Sequence, residues 1–430
     1  MKPKALLTIG FILASTQLLA LPQWVDTVGD QSSFIPSNRL DIRDFCSGTP
    51  REDATNCARQ WLQTARENGK HLYVSAGTYV LSRSLELHSH MSVFCSSPTQ
   101  AVFRKSQGTS YPVFVKAKQL DGPIEQVTIE NCGFDMNGDK KNFASVIRMK
   151  HAEHITIRDN QFFDSTNRKS HERSQQRQYI VVLRAKDILI EGNRLSHGGR
   201  LKVGRPGSRI LIRNNHLDFV NDNGITVVSR SGATSDIRDN ITEDLIIDGN
   251  VINDATVTRI FFGADGGANG EGLKLRRITI MNNRITGKTS STCIKGTLPA
   301  TSEEIYIRNN YCVLDKAIFP WRDRYYVSGI KLTAAADSTT QSTPKAITVQ
   351  KNMISSTSPN VYNLAAIFMA RVNACLLYNR VEKSNIALFL KDDTQLRVKN
   401  NDWGITGTIR NDSDNEILAP QNTCYRPHWL

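Results

Sequence analysis

One phrase, apolar-x-apolar-x-x-Asn, recurs nine times between residues 155 and 401 and limits what this chain can fold into. It first reads Ile155, Ile157, Asn160 and last reads Leu396, Val398, Asn401; the asparagines between are Asn193, Asn215, Asn250, Asn283, Asn310, Asn352 and Asn379. Successive asparagines are 22 to 42 residues apart, one strand-and-turn circuit plus an insertion of variable length. The two-residue alternation turns each Ile, Leu or Val to one side of a strand, and the Asn falls where the chain must turn. Sandwich strands would come about every 8 to 12 residues and would not repeat one turn. The expected fold is all-β, a right-handed parallel β-helix (a solenoid) whose stacked asparagine amides hydrogen-bond from coil to coil.

The repeat runs through most of the 430 residues, so one elongated domain is expected. Residues 1–20 set Lys2 and Lys4 ahead of an apolar run from Ala5 to Ala20 and read as a cleaved signal peptide, which implies a secreted or periplasmic bacterial protein. No later segment is apolar enough to span a membrane. Eight cysteines, all beyond residue 20, fit disulfides, and none has the spacing of a zinc or redox pair. Closeness in sequence favours Cys46 with Cys57, Cys95 with Cys132, Cys293 with Cys312 and Cys375 with Cys424, although the count alone leaves connectivity open. The formal net charge of +13 stays strongly positive without Lys2 and Lys4, and such a field attracts polyanions.

Ahead of the repeats come Asp41-Ile42-Arg43-Asp44-Phe45, an acidic stretch at Glu52 and Asp53, helical spacing from Ala58 to Arg66, and Leu72-Tyr73-Val74-Ser75-Ala76-Gly77-Thr78-Tyr79. A helix here would shield the open edge of the first coil. The expected divisions are a cap over residues 21–90, coils over 91–405, and a tail over 406–430 packed on the last coil. This succession resembles the leader of the pectate-lyase-like superfamily, and with the repeat the resemblance covers nearly the whole chain. It implies a right-handed β-helix. It leaves the reaction open among polysaccharide lyases, polygalacturonase-type hydrolases, uronate epimerases and phage tailspikes, the last at odds with a signal peptide.

A second short strand precedes each Asn-bearing one, and its middle residue should face outward: Arg148, Lys202, Thr226, Phe261, Lys295 and Lys331, with Arg200, Arg205, Arg230 and Arg259 beside them. Stacked about 4.8 Å apart, these make a cationic trough for an acidic sugar chain, with Phe261 available to stack on a ring. Long connections at residues 229–244, 263–277 and 333–346 would wall it. His197, before Gly198 and Gly199, is a further substrate-binding candidate at the entrance to the Lys202 strand. Asp265 and Glu271 bracket a Gly-rich segment that offers oxygen ligands for Ca²⁺.

Two chemistries compete for these residues. β-Elimination on a uronic-acid polymer needs the sugar carboxylate neutralised and a base for the C5 proton. Lys202, Lys295 or Lys331, each crowded by cations that penalise the ammonium, is the expected base. Arg230 or Arg259 would neutralise the carboxylate, and Asp222, Asp265 or Glu271 would orient a residue or hold Ca²⁺. A glycoside hydrolase instead needs two carboxyl groups, about 6.5–9.5 Å apart if inverting, and Asp222 with Asp218 or Asp265 is the available pair. Asn221-Asp222-Asn223-Gly224 is similar to the polygalacturonase "DDG" phrase but has Asn223 as its second position. Ile294-Lys295 is similar to "RIK" with Cys293 in place of Arg, and the "GHG" phrase is absent. The expected function is therefore a lyase of an acidic exopolysaccharide, similar in design to biofilm-matrix polysaccharide lyases, with hydrolase, epimerase and non-catalytic binder as alternatives. No nucleic-acid partner is expected, and the chain is expected to be monomeric.

Overall fold

The structure, a computed structural model, describes residues 21–29, 36–49, 52–107, 111–118, 120–138, 145–165, 177–220, 223–229, 241–255, 257–264, 273–287, 292–314, 327–335, 343–357, 364–404, 407–412, 415–418 and 424–428. Every strand pairing among them is parallel, and each coil visits three faces in turn. One coil illustrates the circuit. Ile225–Ser229 lies on an outward face sheet, Ile241–Asp248 on a ladder sheet that carries the repeat phrase, and Val251–Ala255 on a sheet of short strands; Thr258–Ala264 then stacks on Ile225–Ser229. In the tightest coils the chain rounds the corner between face and ladder without a break, as in Ser145–Arg158, Arg177–Glu191 and Gly199–Arg213. This is the right-handed parallel β-helix that the repeat predicts.

The phrase folds as its chemistry requires. Its two apolar positions point inward and stack on their counterparts, Ile155 on Ile188 and Ile157 on Ile190, then on Ile210 and Ile212, all fully buried. The residue before each Asn takes a left-handed conformation: Asp159, Gly192, Asn214, Gly249, Asn282, Asn309, Lys351, Tyr378 and Asn400 all have φ between 50° and 65°. That kink swings the Asn side chain under the next coil. Asn250 Nδ2 donates to Asn283 Oδ1 at 3.0 Å and to the Ile212 carbonyl at 3.0 Å, while its own Oδ1 accepts from Asn215 Nδ2 and the Asn215 backbone N–H, each at 3.0 Å. The same pattern runs from Asn160 to Asn401. Below Asn160 the equivalent position is Cys132, whose N–H donates to Asn160 Oδ1 and whose sulfur is bonded to Cys95 one coil down. The four disulfides are those favoured by closeness in sequence.

Coils begin at Arg39–Asp41, which pairs with His71–Val74, so much of the region assigned to a cap is already solenoid. The capping element is one helix, α1 (Thr55–Glu67), started by Asp53, whose carboxylate accepts from the Thr55 N–H. It buries Ala58, Trp61, Leu62 and Ala65 over the first coil, and the Trp61 indole N–H donates to the Leu40 carbonyl at 2.9 Å. Residues 21–29 lie instead against the outside of the ladder sheet, where Val25 and Val28 cover Leu189, Leu211, Ile246 and Met281. At the other end Thr408–Asp412 and Glu416–Leu418 add another coil, and only they stack on the last one. Cys424 is held back on the ladder sheet by Cys375, and the Tyr425 carbonyl accepts from the Thr348 hydroxyl at 2.6 Å. Residues 1–20, expected from sequence to be a signal peptide, lie outside the described residues.

If the ladder sets coil stacking, Asn250→Ala will lower unfolding free energy by about 3 kcal/mol, because several buried backbone and side-chain groups lose partners together. Asn401→Ala, at the partly exposed end of the ladder, will cost about 1 kcal/mol. Urea titrations of the two variants, followed by circular dichroism, check the difference; equal costs would remove the ladder from that role.

Candidate functional site

The face sheet carries a single column of outward side chains held in register by the strand pairing. In order they are Glu86, Val115, Arg148, Val181, Lys202, Thr226, Phe261, Lys295, Lys331, Phe368, Phe389 and Arg410. The six positions read from sequence all stand in it. Val181 interrupts them, because the strand Arg177–Glu191 presents an apolar residue where its neighbours present a cation. The column also continues to Phe368 and Phe389, at the same offset within Ile367-Phe368-Met369 and Leu388-Phe389-Leu390. That repetition was the available signal for them.

Exposure separates the column into closed and open parts. Lys202 is 7% exposed, Thr226 2% and Phe261 8%, so this stretch offers little surface to a polymer. The expected stacking of a sugar on Phe261 is therefore corrected: its ring lies 5.7 Å from the Lys295 ammonium and serves as a floor for it. Arg148, Lys295 and Lys331 are partly exposed. Arg200 is buried at the start of its strand, in register with Gln178. Arg259 is fully buried, donates to the Gly287 carbonyl and feels the charge of Asp254, and burial draws its guanidinium down to about 10. Such a group cannot meet a substrate carboxylate, so its expected neutralising and substrate-binding role is corrected. His197 sits at the corner between the short-strand and face sheets with φ of 57°, stacked on Phe219 at 5.6 Å, beside the column and not within it.

Lys331 has the most altered chemistry on this face. Its ammonium lies 4.6 Å over the Phe368 ring, with Lys295 one coil below and Lys391 nearby. Burial is the largest influence and the two lysine charges add to it, so its pKa is drawn down to about 8. Cation–π attraction to Phe368 favours the ammonium, but it is outweighed. Inside the coil Gly296, next to Lys295, leaves room for the Phe262 ring; a Cβ there would lie 2.7 Å from it. Cys293, two residues before Lys295, is bonded to Cys312 across the interior, which ties this strand to the short-strand sheet.

Charge is managed differently on the two neighbouring faces. On the ladder sheet, cations meet carboxylates from adjacent coils: Arg158 with Glu130 at 2.7 Å, Lys186 with Glu153 at 3.1 Å, Arg213 with Glu191 at 2.6 Å, and Arg277 with Asp244 at 2.6 Å. In the outward column the only carboxylate is Glu86, near one end. Lys331 has no carboxylate within 4 Å among the described residues.

Other sequence candidates fall elsewhere. Asp218 lies on the short-strand sheet, where its carboxylate meets His216 Nε2 at 3.0 Å and accepts from Asn253 at 2.9 Å, so it does not flank the column. Asp222, Arg230, Asp265 and Glu271 lie outside the described residues, as does the side chain of Arg205. The connections expected to wall the trough fall largely outside them too. Among the described residues no group of three His, Cys, Asp or Glu side chains could hold a metal ion, and no helix is long and apolar enough to cross a membrane.

No protein-family model and no curated protein matches the chain. Solved structures do. The surface protein and adhesin PfbA of Streptococcus pneumoniae is similar with a TM-score of 0.64 at 14% identity, over 88% of this chain and 100% of that one. The family 28 exopolygalacturonase of Yersinia enterocolitica gives 0.62 at 11% identity over 91% and 79%, and a hyperthermoactive exopolygalacturonase of Thermotoga maritima gives 0.56 at 12% over 88% and 94%. At these identities the likeness is one of fold.

The Lys331 environment makes a measurable prediction. Amine-selective labelling followed by mass spectrometry should show Lys331 titrating with a midpoint near 8, far below an exposed lysine. Lys295→Gln removes a like charge and should move that midpoint upward. A Lys331 midpoint above about 10 in the wild type would remove its special status.

Proposed function

We propose that this chain, a right-handed parallel β-helix of the pectate-lyase-like superfamily, is an exported polysaccharide lyase that cleaves a uronic-acid polymer by β-elimination. The observation that carries the reading is Lys331, a half-buried lysine drawn down to about 8 in a column rich in cations. At neutral to slightly alkaline pH a useful fraction of it is a neutral amine, the form a general base requires. In this reading Lys295, one coil below, pairs with the sugar carboxylate, a role less suited to the fully buried Arg259. With that carboxylate neutralised, Lys331 takes the C5 proton, the electron pair forms the C4–C5 double bond, and the C4–O4 bond breaks with O4 taking a proton from water. The four disulfides fit an exported chain, and two of the similar structures are exopolygalacturonases. A bacterial exopolysaccharide or biofilm matrix as the target belongs to this proposal, as does Ca²⁺ held by Asp265 and Glu271.

A hydrolase is the second reading, favoured by the likeness in fold to two exopolygalacturonases. It rests on Asp222 and Asp265, since Asp218 faces another way.

Purified protein incubated with a panel of acidic polysaccharides separates the two. The lyase yields an unsaturated, ultraviolet-absorbing end group; a hydrolase yields products that have gained water. Lys331→Ala should lower turnover about 10²-fold or more with little change in melting temperature, and Lys331→Arg should not restore it, because a guanidinium stays protonated. The wild-type rate should rise with pH through about 8 as the amine loses its proton. Full activity in Lys331→Ala together with an inactive Asp222→Asn would replace elimination by hydrolysis.

A further inference from the structure

The first coils of the face sheet hold a second basic feature, outside the stretch assigned to chemistry. An open groove of about 1010 Å³ runs beside Glu86, Val115 and Arg148 and reaches Arg59 on α1. Arg83, Lys116, Lys118, Arg148, Lys150 and Arg184 line it, and among the described residues Glu86 is its one acidic residue. None of these cations has a carboxylate within 4 Å among the described residues, in contrast to the paired cations of the ladder sheet. Glu86 is engaged by a backbone group, accepting from the Lys118 N–H at 3.4 Å. Arg148 Nε is buried with no hydrogen-bond partner. Cations gathered in one concave place in excess over carboxylates repel one another, and an anionic ligand relieves that repulsion.

We infer that this groove is a binding site for acidic sugar units of the same polymer, remote from the reacting bond. Arg148 and Lys331 belong to one outward column and are six coil steps apart, about 29 Å at the spacing of parallel strands. A chain laid along the face meets anchoring cations at both ends of that distance, with the covered Lys202–Phe261 stretch between. The groove thereby favours long chains over short ones. This rests on reading the face as a track for an acidic chain, and not on the elimination step.

The test is binding without turnover, in a Lys331→Arg, Asp222→Asn background that keeps the cation and lacks the candidate group of either chemistry, with end-labelled oligogalacturonates of graded length followed by fluorescence anisotropy. Affinity should step upward once the oligomer exceeds about six units, the length that spans the coils between groove and Lys331. Lys150→Glu with Arg184→Glu, both exposed positions, should abolish the step and weaken long-oligomer binding about tenfold or more at unchanged melting temperature. Lys186→Glu with Lys399→Glu, a change of equal charge on the ladder sheet, should leave the step intact. A step that survives the double substitution, or no step at all, overturns the inference. So does tighter binding of a duplex DNA of equal charge that the double substitution removes, since the groove would then serve nucleic acid. No bond breaks in this assay, so failure of the groove and failure of the elimination chemistry are separate results.

Discussion

A buried side-chain amide must find partners for both its ends, and in this protein the partner is the same amide one coil away. Each ladder asparagine accepts from the coil below and donates to the coil above, in addition to bonding a strand carbonyl. A coil shifted by one residue would leave these groups unsatisfied in an apolar interior, a penalty of about 1–3 kcal/mol for each. The ladder therefore favours one stacking register, and everything outside inherits it. Insertions as different as those in the 22-residue and 42-residue circuits leave the register unaltered, because they enter between fixed points.

That register makes the outer faces legible as columns, and the columns differ in what they do with charge. The ladder sheet alternates acids and bases from coil to coil, so its salt bridges offset one another within the protein. The face sheet instead stacks Lys295 and Lys331 on adjacent coils and shields both in part from water. Lys331 is the sharpest instance, because the ring of Phe368 beneath it and Lys295 beside it act on one amine from two directions. Such an arrangement is unfavourable for folding taken alone, which is why it directs attention to ligand chemistry.

Most of the architecture was legible from sequence because the period-two alternation and the repeated turn are local consequences of strand and left-handed geometry. The outward column followed, since counting along a strand gives the face of each residue. Burial did not follow. Arg259 and Phe261 are neighbours of correctly read positions, yet one is enclosed at a corner and the other lies under a lysine ammonium, and nothing in their flanking residues announces either. The strands Leu85–Leu87 and Phe114–Lys116 lack the Asn phrase, so the lysines and arginines of these first coils were not read with the column. The return of residues 424–428 to the ladder sheet depends on a bond between Cys375 and Cys424, a contact that no periodicity encodes.

Uniform stacking has one more consequence. Because each coil adds the same rise, any two points on the outward face are separated by a whole number of steps, and length along the molecule is quantised. The circuit from Asn193 to Asn215 is 22 residues long and ends on the same turn with which it begins. Loss or duplication of such a unit would rejoin matching strands and matching asparagines, changing the distance between two surface features by a single increment while leaving each feature intact. The solenoid is in this sense a ruler whose graduations evolution can add or remove one at a time.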